Sequence, residues 1–325
     1  MCELRMIMEE FNISKYQKAP YLELNNYRAP EGIKSYFVSM DDGIKIRVCH
    51  WLKKKEKGTG TIFLQQGHNE FIEKYFETIQ EFIDRGYSVI CFDWRGQGMS
   101  ERMIDDINKS FITDFKRHDK DLEQILEDII EPFFPKPLIG IGHSMGGCLM
   151  LSAFHNHPTK FDYGILSAPM LGFKNEKFLR AASSLMNFLK KDTDYLIGSK
   201  PNMGIETPFE ENDLTSDKVR YKRTQMLVRK RPSLRLWGVT NGFAKAVRKR
   251  FKNIRRKNWA EKIGTNILII NSLNDRVVYS KKTIEMSKRL RNCNLINFDN
   301  CEHEIFMEKD IHRKVLWKKI DNFFS

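Results

Sequence analysis

The sequence predicts an α/β protein: a mostly parallel, doubly wound sheet with an N-terminal antiparallel hairpin and a helical cap insertion. Three observations carry this. Short apolar runs of strand length alternate with stretches of helical spacing on both sides of a middle segment. The first two runs meet at Asp41-Asp42-Gly43, a strong hairpin signal. From 172 to 244 the alternation stops, and Phe, Met and Leu stand among many Lys and Arg without a clear strand. Stretches 1–171 and 245–325 therefore read as one core, with 172–244 as a helical cap inserted in it.

Residues 33–40 and 44–51 are the hairpin strands, and 61–65 is a third strand. Phe76, Ile79, Phe82 and Ile83 have helical spacing, and Gly86 ends that helix. Residues 87–92 form a continuous apolar run, which suits a parallel strand covered on both faces. Leu122, Ile125, Leu126, Ile129 and Ile130 mark a helix that Pro132 stops. A strand over 138–141, a helix through 148–154 and a strand over 163–166 follow. Beyond the insertion come a strand at 266–270, a helix at 281–290, a strand at 294–298 and a helix at 313–323.

With 325 residues, 41% hydrophobic and 12% aromatic, the chain is long and apolar enough to bury a large core. That excludes a disordered, collagen-like or disulfide-scaffold protein. No run approaches the roughly 20 apolar residues of a membrane span. The first residues lack the basic start and apolar stretch of a secretory signal. The six cysteines form no CxxC pair and have no zinc spacing, so they read as reduced, mostly buried thiols of a cytoplasmic protein. Lys and Arg total 55 against 42 Asp and Glu, a net +13. That charge leaves nucleic acid, an anionic membrane surface or plain solubility open.

Chemistry concentrates at Gly142-His143-Ser144-Met145-Gly146, a G-x-S-x-G match directly after the strand at 138–141 and before a helix. A sharp strand-to-helix turn exposes the serine hydroxyl, and Gly142 and Gly146 avoid the clashes side chains would make there. The helix N-terminus favours developing negative charge. Such a serine needs a base, and the base an orienting acid; in folds that carry the serine on a strand-to-helix turn of this kind the chain order is Ser, Asp or Glu, His. Asp275 follows the strand at 266–270 and His303 follows the next strand, so both fall at the same sheet edge as Ser144. A helix cap is the competing role for Asp275, and a surface position for His303. Structural roles suit His143 inside the turn, His155 and His157 at a helix end, and His312 within the last helix. The oxyanion needs donors: the backbone N–H of Met145 and, from the loop Gln65 to Glu70, the N–H of His68, with Gly67 letting the backbone come close. The His68 imidazole as a second base is the rival reading.

Together these segments resemble the α/β-hydrolase superfamily, and within it the branch of monoacylglycerol lipases and bacterial lysophospholipases (serine aminopeptidase-like). Asp93-Trp94-Arg95-Gly96-Gln97-Gly98-Met99-Ser100, Leu166-Ser167-Ala168-Pro169-Met170 and Asp275-Arg276-Val277-Val278 carry the likeness, which spans residues 36–324. Residues 212–241 are similar, more loosely, to the cap of the bacterial lysophospholipases. In one departure Gln66 stands where most of the superfamily has histidine before Gly67. The glycine, and with it the backbone donor, is kept. The resemblance implies an α/β-hydrolase fold and a serine hydrolase that cleaves carboxylic esters of lipids, a lysophospholipase or monoacylglycerol lipase. It implies acyl transfer through Ser144, His303 and Asp275 with no cofactor and no metal. A soluble carboxylesterase, thioesterase or peptidase of the same fold is the alternative, and a non-catalytic binding protein a further one.

Lys245 to Lys257 holds eight basic residues and no acidic one, with Val247, Phe251 and Ile254 on one helical face. It reads either as a helix packed on the core with a solvated basic face or as a peripheral contact with an anionic membrane. In the second case each basic side chain contributes roughly 1 kcal/mol. Nucleic acid is not expected, since no recognition motif or aromatic platform accompanies the charge. Hydrophobic residues of the insertion, Phe173, Phe178, Leu185, Phe188 and Leu227 among them, are either acyl-channel walls or plain core.

Overall fold

The computed structural model describes residues 12–53, 59–174, 176, 191–196 and 206–324. Its strands are β1 (Gln17–Lys18), β2 (Lys34–Ser39), β3 (Lys45–Trp51), β4 (Thr61–Gln65), β5 (Ser88–Phe92), β6 (Lys109–Ser110), β7 (Leu138–His143), β8 (Tyr163–Ser167), β9 (Gly238–Val239), β10 (Asn266–Ser272) and β11 (Cys293–Phe298). Nine of them form one sheet in the order β1-β2-β3-β5-β4-β7-β8-β10-β11. β2 and β3 are the expected hairpin, turning at Gly43 with φ 84°. The pairs β1–β2, β2–β3 and β3–β5 are antiparallel, and every pair from β5 to β11 is parallel.

The parallel strands are apolar on both faces because helices cover both. Ile62 and Leu64 of β4 point into one core and Phe63 into the other, and β5 alternates in the same way through Val89, Ile90, Cys91 and Phe92. On one face lie α1 (Phe76–Asp84) and the C-terminal α7 (Asp310–Phe324), which pack Phe76, Ile79, Phe82, Leu316, Trp317 and Ile320. On the other lie α2 (Phe115–Ile125), α3 (Ser144–Asn156) and α5 (Asn241–Ile254), with Leu122, Ile125, Leu149, Val247 and Phe251 in its core. α6 (Ser280–Ser287) connects β10 to β11.

Two expectations are refined. α2 starts seven residues before the first periodic leucine, where the Asp114 side chain accepts the N–H of Lys116 at 3.0 Å. It then widens into a π-helical turn, Leu126–Ile130, before a short last turn that holds Pro132, which has no N–H to donate. The middle segment is helical where α4 (Lys218–Lys230) forms, N-capped by Asp217. It also contributes β9, which pairs in parallel with β6. Two residues are too short to carry a strand signal. The 244/245 division falls inside α5, whose cap is Thr240. Phe178, Leu185 and Phe188 lie outside the described residues, and Leu227 is fully buried in the core.

Much of the basic segment is tied down. Val247, Phe251 and Ile254 are buried, as their spacing predicts. Lys245 pairs with Asp192, Lys249 with Asp114, Arg255 with Glu176, and the buried Arg250 with Asp119. Lys252, Arg256 and Lys257 are exposed. Cys49, Cys91, Cys148, Cys293 and Cys301 are free thiols, and Cys2 lies outside the described residues. Among the described residues no helix is long and apolar enough to cross a membrane.

Candidate active site

β7 ends at His143 and α3 begins at Ser144, with no residue between them. Ser144 takes φ 50°, a conformation that costs a non-glycine residue energy and persists only when its surroundings impose it. Close packing imposes it here. A Cβ on Gly142 would lie 2.5 Å from the carbonyl oxygen of Gly146, and one on Gly146 would lie 2.5 Å from those of Gln65 and Gln66. The start of α3 is thus pressed against the loop that follows β4. The peptide N–H of Met145, in the first turn of α3, has no partner within the helix and is available at this junction.

The loop after β4 is held by side chains. Gly67 N donates to Glu70 Oε2 at 2.5 Å, and Asn69 N donates to Gln97 Oε1. The Asn69 amide is clamped to Leu236 from both sides, with Leu236 N donating to its Oδ1 at 2.6 Å and its Nδ2 donating to Leu236 O at 3.0 Å. These bonds take the N–H groups on either side of His68. A Cβ on Gly67 would meet Ser144 Cβ at 3.1 Å, so this loop lies directly against the serine. The His68 imidazole turns away: its Nε2 is 2.7 Å from Ser110 Oγ and its ring is 4.6 Å from that of Phe243. Burial pushes its pKa down to about 4. A neutral, engaged ring is a weak candidate for a second base. Gln66, where histidine is the commoner residue, donates from Nε2 to Asp93 Oδ1 at 3.0 Å.

Asp275 and His303 come together as their spacing predicts. His303 Nδ1 and Asp275 Oδ2 are 2.6 Å apart, and both residues are buried. Asp275 Oδ1 accepts the N–H groups of Val277 and Val278, each at 2.8 Å. One oxygen therefore caps the local turn while the other holds the histidine, so the two readings of Asp275 are compatible. The N-cap of α6 is Tyr279 instead. Ser144 and His303 line one cavity of about 370 Å³, together with Gly67 and His68. A larger cavity of about 890 Å³ lies alongside and shares the walls Phe173, Val239 and Phe243.

Sequence reasoning missed what stands behind this pair. Lys74 Nζ lies 2.6 Å from Glu70 Oε1 and 2.5 Å from Glu304 Oε1, with all three side chains buried. Tyr75 donates to Glu70 Oε2 at 2.8 Å. Burial opposes the Lys74 charge, but the two carboxylates raise its pKa above the usual lysine value. Burial also opposes the Glu70 charge, yet Lys74, His143 and the bonds from Lys74 and Tyr75 bring its pKa down to about 2. Glu304 is pushed up by burial. Glu70, His143 and Glu304 place three ligand atoms within 4.8 Å of one another, a geometry a metal ion could use, and here the Lys74 ammonium is the cation between the carboxylates. His143 packs its ring 4.7 Å from that of His303, and burial lowers its pKa to about 3, which fits a packing role. Lys74 is four residues after Glu70, a helical spacing that hints at the first pair. Nothing local points to Glu304, 230 residues away.

The middle segment docks on the histidine loop. Glu304 N donates to Leu214 O at 2.7 Å, Thr215 Oγ1 to Met307 O at 2.7 Å, and Ser216 Oγ to Glu308 Oε2 at 2.5 Å.

This sheet, with a serine at the strand-to-helix turn after β7 and an Asp–His pair on the loops after β10 and β11, defines an α/β-hydrolase. The profile of one hydrolase family, described as serine aminopeptidase, S33, matches residues 56–310, and the chain belongs to that family. It is 26% identical over 297 residues to a protein of Haemophilus influenzae named probable lysophospholipase L2, covering 91% of this chain and 93% of that one. It is 24% identical over 298 residues to lysophospholipase L2 of Escherichia coli, covering 89% and 86%. Among solved structures it is similar to a soluble variant of the monoglyceride lipase of Saccharomyces cerevisiae in complex with a substrate analog. The TM-score is 0.71 at 20% identity, over 93% of this chain and 99% of that one.

Proposed function

We propose that the protein cleaves the carboxylic esters of lysophospholipids or monoacylglycerols through an acyl-enzyme. One observation carries the reading: Asp275 holds His303 in the cavity that Ser144, strained at φ 50°, also lines. Ser144 Oγ attacks the ester carbonyl while His303 Nε2 takes its proton. The oxyanion meets the N–H groups of Met145 and His68, each such donor being worth about 10²–10³ in turnover. As the intermediate collapses, the bond to the glycerol oxygen breaks and His303 returns the proton to that oxygen. Water, deprotonated by His303, then attacks the acyl-serine, and His303 returns that proton to Ser144 Oγ as the acyl–oxygen bond breaks and the fatty acid leaves. Asp275 Oδ2 keeps the Nδ1–H tautomer and stabilises the imidazolium.

The middle segment acts as the cap of this site, and the larger cavity beside Phe173 and Phe243 suits an acyl chain. The relatives named lysophospholipase L2 favour a lysophospholipid over a soluble ester. The exposed Lys252, Arg256 and Lys257 supply a contact with an anionic membrane surface.

A fluorophosphonate probe tests the chemistry. Wild type should label and Ser144→Ala should not, and equal labelling of the two proteins rejects the nucleophile. Fatty-acid release from lysophosphatidylcholine, set against hydrolysis of short p-nitrophenyl esters, tests the substrate class. Strong activity on the short ester with none on the lipid sinks the lipid reading.

A further inference from the structure

Among the described residues, three Lys or Arg side chains line the cavity of Ser144: Lys74, Arg220 and Arg235. Two are saturated. Lys74 lies between Glu70 and Glu304. Arg220 pairs with Glu77 at 2.5 Å, Asp310 at 2.7 Å and Asp217 at 2.9 Å. Arg235 has no carboxylate partner among the described residues. Its Nη2 donates to Gln225 Oε1 at 2.9 Å, and its buried Nη1 has no partner among the described residues. Burial lowers its pKa, only partly offset by Tyr221 and Glu206. The residue is half-buried, and a partly desolvated cation is stabilised by an opposite charge that a ligand brings to it.

Its place is also fixed. Arg235 follows the 3-10 turn Pro232–Leu234 and precedes Leu236, the residue clamped on both sides by Asn69. The backbone beside Arg235 is thereby tied to the loop that carries His68, and Gln225 holds the guanidinium itself. A planar guanidinium matches phosphate oxygens with paired donors. A monoacylglycerol offers only hydroxyl groups there, while a lysophospholipid carries a phosphodiester on the same glycerol as the scissile ester.

We propose that Arg235 binds the phosphate of a lysophospholipid headgroup and sets the preference of this site for phosphorylated over neutral monoacyl lipids. The inference rests on the ester-hydrolase reading, and it concerns binding alone.

The test uses soluble short-chain lipids, hexanoyl lysophosphatidylcholine and monohexanoylglycerol, below their aggregation limits. Two ratios are read for wild type, Arg235→Gln and Arg235→Lys: kcat/KM for the phosphorylated over the neutral lipid, and the affinity of the same pair for the Ser144→Ala background. In Arg235→Gln both ratios should fall about 10- to 100-fold, the size of one charge-assisted hydrogen bond. Arg235→Lys should recover part of the loss. An unchanged ratio overturns the assignment, and so does a parallel fall for both lipids, which marks a structural role. Competition by inorganic phosphate as strong as by the lipid overturns the headgroup assignment in favour of a free-phosphate site. A wild type that hydrolyses neither lipid rejects the proposed hydrolysis, while the binding ratio in Ser144→Ala still decides on Arg235.

Discussion

Lys74 and Glu304 form a buried ion pair at 2.5 Å that joins the loop against Ser144 to the residue following His303. Through Glu70, which accepts the N–H of Gly67, the same ammonium fixes the donor loop, and through Glu304 it fixes the loop of the proposed base. Two parts of the site 230 residues apart therefore share one anchor.

That anchor predicts the behaviour of Lys74→Met. Removing the ammonium leaves two buried carboxylates facing each other, and breaking a buried pair in this way costs about 3–5 kcal/mol. Thermal unfolding should show a clear loss of stability, and kcat should fall because both loops lose their common tether. Lys74→Arg keeps the charge and should retain more of both. A Lys74→Met protein as stable as wild type would remove the anchoring role.

Asp275→Asn separates orientation from fold. Asp275 Oδ1 is committed to the N–H groups of Val277 and Val278. An asparagine must place its oxygen there, so its NH₂ faces His303 Nδ1. That arrangement accepts no proton from Nδ1 and forces the tautomer with hydrogen on Nε2, which cannot accept the serine proton. Turnover should drop by about 10⁴ with the fold intact. Steady-state kinetics alongside circular dichroism measure this, and a loss below tenfold would show that the pair does not set the tautomer.

The alternation of strands and helices was legible because short continuous apolar runs and stretches of helical spacing follow one another in order. The Ser144 turn was legible because a strand, a glycine-flanked serine and a helix stand in sequence. Asp275 and His303 followed from their positions after two late strands. The Glu70–Lys74–Glu304 cluster and the Asn69–Leu236 clamp were not legible, because each joins residues that only the folded chain brings together. β9 was invisible because two residues have no period, and its partner β6 lies 129 positions earlier at Lys109↔Gly238. The histidines show the same limit. Nothing in the sequence shows that His118 of α2 lies between Trp94 and Phe115, with ring centroids 5.7 and 5.3 Å away.

His118 gives a stability prediction with a definite sign. It is fully buried, and neither ring nitrogen has a hydrogen-bond partner among the described residues. Burial, helped by Arg95 and Arg250, lowers its pKa to about 3, below an unfolded value of about 6.5. The neutral ring is favoured in the fold, so its contribution is complete above about pH 6.5 and is lost as pH falls towards about 3. At about pH 5 the loss is roughly 2 kcal/mol. His118→Phe removes the titration and keeps the ring packing. Its stability relative to wild type should therefore rise by about that amount between about pH 8 and pH 5 in denaturant titrations. An equal shift at both pH values would show that the ring does not titrate on unfolding.

Among the described residues, the exposed charges of the basic segment fall into a paired set and an unpaired one, and only the second is free to meet a membrane. By sequence alone, Arg248, Lys249 and Arg250 are natural residues to neutralise. Arg250, however, is buried against Asp119, and Lys249 is paired with Asp114, so removing them disturbs how α5 is held. The exposed charges with no carboxylate partner among the described residues are Lys252, Arg256 and Lys257, whereas the exposed Lys245 and Lys249 are paired. If this surface meets lipid, wild type should bind vesicles containing phosphatidylglycerol, and added salt should weaken the binding. Changing the three exposed residues together to Gln should lower the partition coefficient about 100-fold, at roughly 1 kcal/mol for each charge. Lys245→Gln with Lys249→Gln should lower it less, because Asp192 and Asp114 already offset those charges. Equal affinity for the triple variant and wild type would assign the segment to packing and solubility alone.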